Sequence, residues 1–326
     1  MAQATALLDL STAIKGVGGL PSQAAANIVR QVQQQTPTNG APKFWATKEE
    51  KSKIALAIAM GSHMFFFGPE GVGKSTTARA LLEGSGQNYF RFQGYEGFTS
   101  DDWYGSATLD NEGKIAITYS AMVKAVEEGC PVIVEELNLI LPSQMGPLFS
   151  FLDNTPWVDV TMAGKTRRVM KKKGFRMIVT ANDNGSGDQL HLYGGGQLLN
   201  RAVASRFGVF IKTGYLPPDM EMEMLIALSG LSEKGLLQGM SQIAAETRKV
   251  AQSDASKAEL AISPRNMIDW AKAYLVNDDA KAGLDHIQLA EIILINRLSE
   301  NMQQTLRTLV VNKLQTTKIT GLARVV

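Results

Sequence analysis

The chain has 326 residues, of which 44% are hydrophobic and 20% are charged. This balance is typical of a globular protein with enough material for one large and one smaller domain, and it excludes a chain that is disordered over most of its length. The formal net charge of +2 is too small to require nucleic acid or an anionic membrane surface as the partner. A single cysteine, the absence of a signal-peptide pattern and the absence of an apolar run of about 20 residues predict a cytoplasmic protein that does not enter a membrane.

Residues 1–45 combine a Gln-rich helical piece with a linker that contains Thr, Pro, Asn and Gly. The pattern predicts an N-terminal arm or linker that is partly helical, and it leaves open whether this segment binds a partner or only leads into the domain. Thr47 then follows as a candidate N-cap, and the next helix is expected to place Ile54 and Ile58 on one face.

Apolar strand patterns alternate with helix patterns after residue 62, which predicts a parallel sheet covered by helices on both faces. Strands are predicted at 63–67, 89–93, 131–135, 175–180 and 207–212. Helices are predicted after Gly73, over about 119–128 and from Pro142 to about Asp153. We therefore expect an α/β domain over residues 46–215, followed by a second domain over 216–326 in which the patterns are helical throughout.

Two segments within the α/β domain are longer than simple connections. The sequence "LDNEGKIAI" between the second and third strands indicates a turn between two short strands, and "AGKT" lies between two alternating runs just before the fourth strand. The second hairpin contains the basic run "KTRRVMKKK" at 165–173. Clustered Lys and Arg attract phosphate, but stacking aromatics do not interleave the run, so nucleic acid, an acidic partner segment and solvent all remain open as its surroundings.

A glycine-rich motif follows the first strand directly and precedes a helix. "GPEGVGKST" matches the phosphate-binding pattern G-x-x-x-x-G-K-[ST], in which backbone N–H groups and a helix N-terminus surround phosphate oxygens. The lysine supplies a full charge at the β and γ phosphates, and the serine hydroxyl is a ligand for Mg²⁺. The predicted nucleotide-binding residues are Gly68, Pro69, Glu70, Gly71, Val72, Gly73, Lys74, Ser75 and Thr76.

Two adjacent carboxylates end the third predicted strand, in "PVIVEELNLILP". Two such acids downstream of a phosphate-binding loop are expected to have separate roles, because one must stay near the metal ion while the other must reach the γ phosphate. We expect Glu135 to lie on the metal side, with Ser75 as the other metal ligand, and Glu136 to polarise the attacking water. ATP and Mg²⁺ are therefore the predicted substrate and cofactor.

With these motifs in order, the chain resembles the AAA+ ATPases of the MoxR type, in the branch that includes CobS-like cobaltochelatase subunits and dynein-related AAA modules. The resemblance covers about residues 46–275 and implies an α/β P-loop core with a parallel sheet flanked by helices, two hairpin insertions and a small all-helical lid domain. "GPEGVGKST" is similar to the Walker A element and "VIVEELNLILP" to the Walker B element. Members of the family commonly have Asp-Glu in Walker B, so Glu136 takes the catalytic position and Glu135 is a departure.

The same resemblance implies further site residues. "FRMIVTANDN" is similar to the strand that ends in the sensor 1 asparagine, which falls on Asn182 and would hold the lytic water. "LLNRAVASRF" resembles the segment that carries an arginine finger, for which Arg206 is the first candidate and Arg201 the reserve. "AISPRNMIDW" resembles the sensor 2 region, which would place Arg265 over the phosphates, with Ser263 and Pro264 beginning its helix.

The resemblance further implies a homo-oligomeric, hexameric ring that remodels a protein partner, with a protein that carries a von Willebrand A domain as one candidate. A nucleic-acid-directed motor, such as a helicase or restriction-like translocase, is the alternative, and a nucleotide-binding regulator without turnover is a third hypothesis. The sequence shows little beyond the ATPase domain and the helical lid domain, and no separate DNA-binding module is evident. This modestly favours a protein partner over nucleic acid.

Overall fold

The structure, a computed structural model, describes residues 44–184, 199–315 and 317–325. The predicted N-terminal arm therefore lies almost wholly outside the described residues. By their contacts, the described residues form two units. The first comprises 44–68, 73–184 and 199–213, and the second comprises 69–72, 214–315 and 317–325.

Nine strands lie in the described part of the first unit. They are β1 Met64–Phe67, β2 Phe90–Gln93, β3 Gly105–Leu109, β4 Ile115–Tyr119, β5 Pro131–Glu135, β6 Trp157–Met162, β7 Lys165–Met170, β8 Arg176–Ala181 and β9 Val209–Lys212. Five of them form one sheet in the order β2-β5-β8-β1-β9, and all pairs in it are parallel. This confirms the predicted parallel sheet, and each predicted strand agrees with an observed one to within two residues.

Side chains alternate between the two faces of the sheet along each strand, and both faces are buried. In β5, Val132 and Val134 pack into one apolar cluster, whereas Ile133 packs into the cluster on the opposite face. Ile133 shares its cluster with residues of the first two helices, among them Ile54 and Ala78. A strand that is apolar on both faces is expected when helices cover both sides of a parallel sheet.

The helices of the first unit are α1 Lys48–Met60, α2 Lys74–Gly84, α3 Ser100–Tyr104, α4 Ala121–Glu128, α5 Leu148–Leu152 and α6 Arg201–Ala204. Thr47 caps α1 as predicted, in a capping box with Glu50. The single helix predicted from Pro142 to Asp153 is wrong. A 3₁₀ turn at Pro142–Gln144 is followed by the short helix α5, because Pro147 has no N–H group and its ring is incompatible with the interior of a helix.

Both predicted hairpins are present as two-stranded antiparallel sheets, β3–β4 and β6–β7. The turn of the second hairpin contains Ala163 at φ 48° and Gly164 at φ 75°. Two consecutive residues with positive φ match the twist of the flanking strands, which is the usual solution for a two-residue hairpin loop.

The described part of the second unit is helical apart from one β-bridge between Leu231 and Arg324. Its elements are α7 Pro218–Ser229, α8 Lys234–Ser253, a 3₁₀ helix Ala255–Leu260, α9 Pro264–Ala280, α10 His286–Ala290, a π-helical turn Glu291–Ile295 and α11 Glu300–Leu314. A buried ion pair joins α8 to α7, since two guanidinium nitrogens of Arg248 donate to Glu221 at 2.8 and 2.9 Å. No helix formed by the described residues is long and apolar enough to cross a membrane.

Candidate active site

The loop between β1 and α2 has the backbone geometry that its glycines allow. Gly68, Gly71 and Gly73 have φ values of 147°, 72° and 96°, which residues with a side chain rarely adopt. Space is also restricted, because a Cβ atom on Gly68 would lie 1.8 Å from the carbonyl oxygen of Thr213. Gly73 is the N-cap of α2 and supplies no side-chain hydrogen bond to the first turn.

Lys74 lies at the start of α2 and is buried. Its Nζ atom donates to the carbonyl oxygen of Gly68 at 2.8 Å and to Oδ1 of Asn182 at 3.0 Å. The predicted lysine and the predicted sensor asparagine therefore meet, although they lie 108 residues apart in the chain.

Glu136 follows β5 in the left-handed region, with φ 54° and ψ 48°. A non-glycine residue in this region is uncommon and marks a backbone that its surroundings hold in place. Its N–H donates to Oγ1 of Thr180 at 3.3 Å, and its Oε2 accepts from Nδ2 of Asn182 at 3.1 Å. Asn182 thus bridges the predicted phosphate-binding lysine and the predicted catalytic carboxylate.

Glu135, the last residue of β5, is buried. Both of its carboxylate oxygens accept hydrogen bonds from Arg91 of β2, at 2.7 and 2.8 Å. Ser75 Oγ lies 3.5 Å from Oγ1 of Thr180. The metal-side role of Glu135 remains a prediction, and its guanidinium partner is not evident from the sequence.

Two residues outside the predicted set, Asn138 and Gly94, help to shape the site. Asn138 is buried in the turn after Glu136, and its Oδ1 accepts from the backbone N–H of Asn182 at 3.3 Å. Gly94 donates its N–H to the carbonyl oxygen of Glu135 at 2.7 Å, and a Cβ atom there would lie 2.3 Å from the carbonyl oxygen of Glu136. Asn138 carries a sequence signal, being a polar residue in an apolar run, whereas Gly94 resembles any glycine after a strand.

The two arginine-finger candidates lie near α6. Arg206 is half-buried, its Nη1 donates to the carbonyl oxygen of Ala202 at 2.7 Å, and its guanidinium carbon lies 4.7 Å from the centroid of the Phe149 ring. Arg201 is exposed at the start of the helix. Arg206 therefore packs against its own chain, and the assignment of either arginine to a neighbouring subunit's site remains a prediction.

Arg265 lies in the first turn of α9 in the second unit, where its Nη1 atom is 3.7 Å from the carboxylate of Glu70. The start of this helix agrees with the sequence analysis, since the Ser263 side chain accepts from the N–H of Asn266 and Pro264 occupies the first helical position. Its predicted contact with phosphate stays a prediction.

The residues of the loop fit a nucleotide phosphate. Three glycines in positive-φ conformations leave the loop without Cβ atoms at those positions, and the start of α2 has no side-chain cap, which together make an anion site of the helix N-terminus. The donor set of a serine hydroxyl and carboxylates also suits Mg²⁺, which prefers oxygen ligands and commonly combines one or two carboxylates with substrate phosphates.

The strand order, with a P-loop after β1, carboxylates at the end of β5 and an asparagine after β8, defines a P-loop nucleoside triphosphatase of the AAA+ class. A comparison with protein families agrees, since residues 63–207 match the AAA domain of the dynein-related subfamily. The match covers less than half of the chain and shows that this segment is an AAA+ ATPase domain.

Similar proteins were found in two further comparisons. The chain is 26% identical to midasin of Dictyostelium discoideum over 230 residues, which cover 69% of this chain and 4% of midasin. It is 33% identical to the aerobic cobaltochelatase subunit CobS of a Sinorhizobium species over 164 residues, 48% of each chain. A point mutant of RuvB from Thermotoga maritima has a similar fold, with a TM-score of 0.50 and 15% identity over 79% of this chain and 74% of that one. The chain thus spans about half of CobS and a small part of midasin.

Proposed function

We propose that this chain forms a homo-oligomeric ring of six subunits that couples Mg-ATP hydrolysis to the remodelling of a protein partner. The observation that carries the ATPase part is the hydrogen-bonded series Lys74–Asn182–Glu136, with distances of 3.0 and 3.1 Å. It brings a charge for the phosphates, an amide and a carboxylate to one place beside the P-loop.

In this mechanism each side chain has a separate task. Lys74 binds the β and γ phosphates, and Glu136 accepts a hydrogen bond from the attacking water and polarises it. Asn182 holds the Glu136 carboxylate, and with it the position of that water. Mg²⁺, held through Ser75 and Glu135, would neutralise charge on the phosphate oxygens. Arg265 would act on the phosphates of its own subunit, and Arg206 or Arg201 on those of a neighbour.

The charges of the second hairpin favour a protein partner over nucleic acid. Arg168 binds both carboxylate oxygens of Asp159, at 2.9 and 3.1 Å, and Lys171 donates to the backbone and side chain of Asp153. Arg167 pairs with Glu127. Three of the basic side chains in 165–173 are thus neutralised within the chain, which weakens the electrostatic attraction that nucleic-acid binding requires.

Similarity to the cobaltochelatase subunit CobS supports the same conclusion. Within the proposal, the partner is a protein with a von Willebrand A domain, the outcome of remodelling includes loading of a metal ion in some systems, and the setting is the cytoplasm. A nucleic-acid-directed motor is the second candidate, and the exposed residues Lys165, Lys172 and Lys173 are the observation in its favour.

Phosphate release tests the proposal most directly. The wild-type protein should hydrolyse ATP only with Mg²⁺, and Glu136→Gln should bind ATP without turning it over. Glu112→Gln, in the exposed turn of the first hairpin, is the matched control and should retain wild-type turnover. Normal turnover in Glu136→Gln would refute the catalytic assignment.

A second measurement separates the two partner classes. Turnover should be unchanged by single-stranded and duplex DNA or RNA at a salt concentration near the physiological value. Strong stimulation by a nucleic acid would favour the second candidate, because a motor that tracks nucleic acid couples its turnover to that ligand. Ring formation is read from the mass of the Glu136→Gln variant with Mg-ATP, where six subunits are expected.

A further inference from the structure

Arg91 and Glu135 form a two-pronged ion pair between neighbouring strands. Nε and Nη2 of Arg91 donate to Oε1 and Oε2 of Glu135 at 2.7 and 2.8 Å, so both carboxylate oxygens bind the guanidinium. The Glu135 side chain is 8% exposed and that of Arg91 is 52% exposed. The hydrogen bonds to Glu135 raise the pKa of Arg91 above its usual value.

The register places this pair on the face of the sheet that carries α2. Arg91 lies opposite Ile133 in the β2–β5 register, and Glu135 lies two residues beyond Ile133, so the three side chains share one face. Ile133 packs into the same apolar cluster as Ala78 of α2. Glu135 therefore projects to the face on which the P-loop helix, with Ser75, begins.

The ion pair also fixes the side of β5 toward which the Glu135 carboxylate is held. The neighbours of β5 are β2 on one side and β8 on the other, and the P-loop follows β1, which lies beyond β8. Because its bound guanidinium belongs to β2, the Glu135 carboxylate is held toward the side of β5 that is farther from the P-loop.

We propose that Arg91 sets the Mg²⁺ requirement of this site by competing with the metal for the Glu135 carboxylate. The inference rests on the proposed Mg-ATP function. A carboxylate whose two oxygens bind a guanidinium attracts the water shell of a cation less strongly than a carboxylate without such a partner, since the neighbouring positive charge offsets its own. Arg91 is thus a positioning residue that acts through Glu135.

Binding of a fluorescent ATP analogue, N-methylanthraniloyl-ATP, measured during a titration with Mg²⁺, tests the proposal without reference to turnover. Arg91→Gln should lower the Mg²⁺ concentration at half-maximal binding by about fivefold, the effect expected of one half-exposed ion pair. In a Glu135→Gln background the same substitution should have no effect on that midpoint. An unchanged or higher midpoint in Arg91→Gln, or an equal shift in both backgrounds, would overturn the proposal.

Arg168→Gln is the matched control, because Arg168 also forms a two-pronged pair, with Asp159, on neighbouring strands of the β6–β7 hairpin. It should leave the Mg²⁺ midpoint unchanged. Arg91→Lys keeps the charge but not the planar fork, so it should give an intermediate shift and covers the case in which Arg91→Gln unfolds. If the wild-type protein itself binds the analogue without any Mg²⁺ dependence, the proposed function fails; if only the Arg91 shift is missing, this inference fails.

Discussion

Nδ2 of Asn182 donates a hydrogen bond to Oε2 of Glu136 at 3.1 Å. Because the opposite end of the same amide accepts from Lys74, the orientation of the amide is defined at both ends. An aspartate could not donate to Glu136, and a shorter side chain could reach neither partner. The asparagine therefore holds the predicted catalytic carboxylate in place relative to Lys74, the predicted phosphate-binding lysine.

We expect Asn182→Ala to reduce kcat by about 100-fold, a typical cost for removing one positioned hydrogen-bond donor from an active site. The affinity for ATP should change much less, because the P-loop and Lys74 remain. Steady-state phosphate release and nucleotide titration give the two quantities separately. A large loss of affinity at unchanged kcat would show that Asn182 serves binding and not the chemical step.

Asn138 should act through Asn182, because its Oδ1 accepts from the Asn182 backbone. Asn138→Leu keeps a similar volume but removes the acceptor, so kcat should fall by about tenfold and stability by about 1–3 kcal/mol. In an Asn182→Ala background, the same substitution should reduce kcat little further, since the group that it positions is already lost. Additive losses of kcat would show that Asn138 does not act through Asn182.

Gly94 permits the close approach of β2 to the end of β5. Gly94→Ala should lower the free energy of unfolding by about 1–3 kcal/mol and reduce kcat, because a Cβ atom would collide with the backbone that carries Glu136. Gly146→Ala is the control in the same unit, since no atom lies within 4 Å of its Cβ position. Chemical denaturation and phosphate release measure the two effects, and equal behaviour of the two variants would contradict the prediction.

We expect the first unit to lose stability in acid because of His63. Its Nδ1 accepts from the N–H of Met177 at 2.9 Å, and burial, with the nearby charges of Lys171 and Arg176, lowers the pKa of His63 to about 4 from 6.5. The unfolded chain therefore binds the proton more readily, so this stabilisation is present above about pH 6.5 and is lost as the pH falls toward 4.

Between about pH 7.5 and about pH 5, the wild-type protein should lose about 2 kcal/mol more of its unfolding free energy than His63→Gln does. Urea denaturation at the two pH values measures this difference, and the variant provides the background of all other titrating groups. An equal pH dependence in both proteins would show that His63 does not carry the effect.

Arg206 and Arg201 can be separated by mixing inactive protomers. If one arginine acts on a neighbour's site, mixing its alanine variant with Lys74→Ala should restore part of the ATPase activity, since some interfaces then contain both intact residues. We expect this complementation for Arg206→Ala and not for Arg201→Ala. Complementation by Arg201→Ala alone would assign the arginine finger to Arg201. Arg206 would then have only a packing role, through its contact with the Phe149 ring.

The parts of the fold that could be predicted are those that consecutive residues encode. The strands, the P-loop, the capping of α1 by Thr47 and the two hairpins all follow from local periodicity, turn chemistry and helix start signals. The break at Pro147 was missed even though a proline inside a helical pattern is a local signal.

By itself, the sequence determined that this protein has a P-loop, a strand that ends in two acids, and a helical C-terminal region, because each is encoded by neighbouring residues. Only the tertiary structure decided that Glu135 binds Arg91, 44 residues away, and that Asn182 joins Lys74 to Glu136. The physical reason is that strand order brings distant residues together, and side-chain direction then selects the partners. Glu135 and Glu136 are adjacent in the chain, yet one turns to a guanidinium on the next strand and the other, after a left-handed backbone turn, to the Asn182 amide.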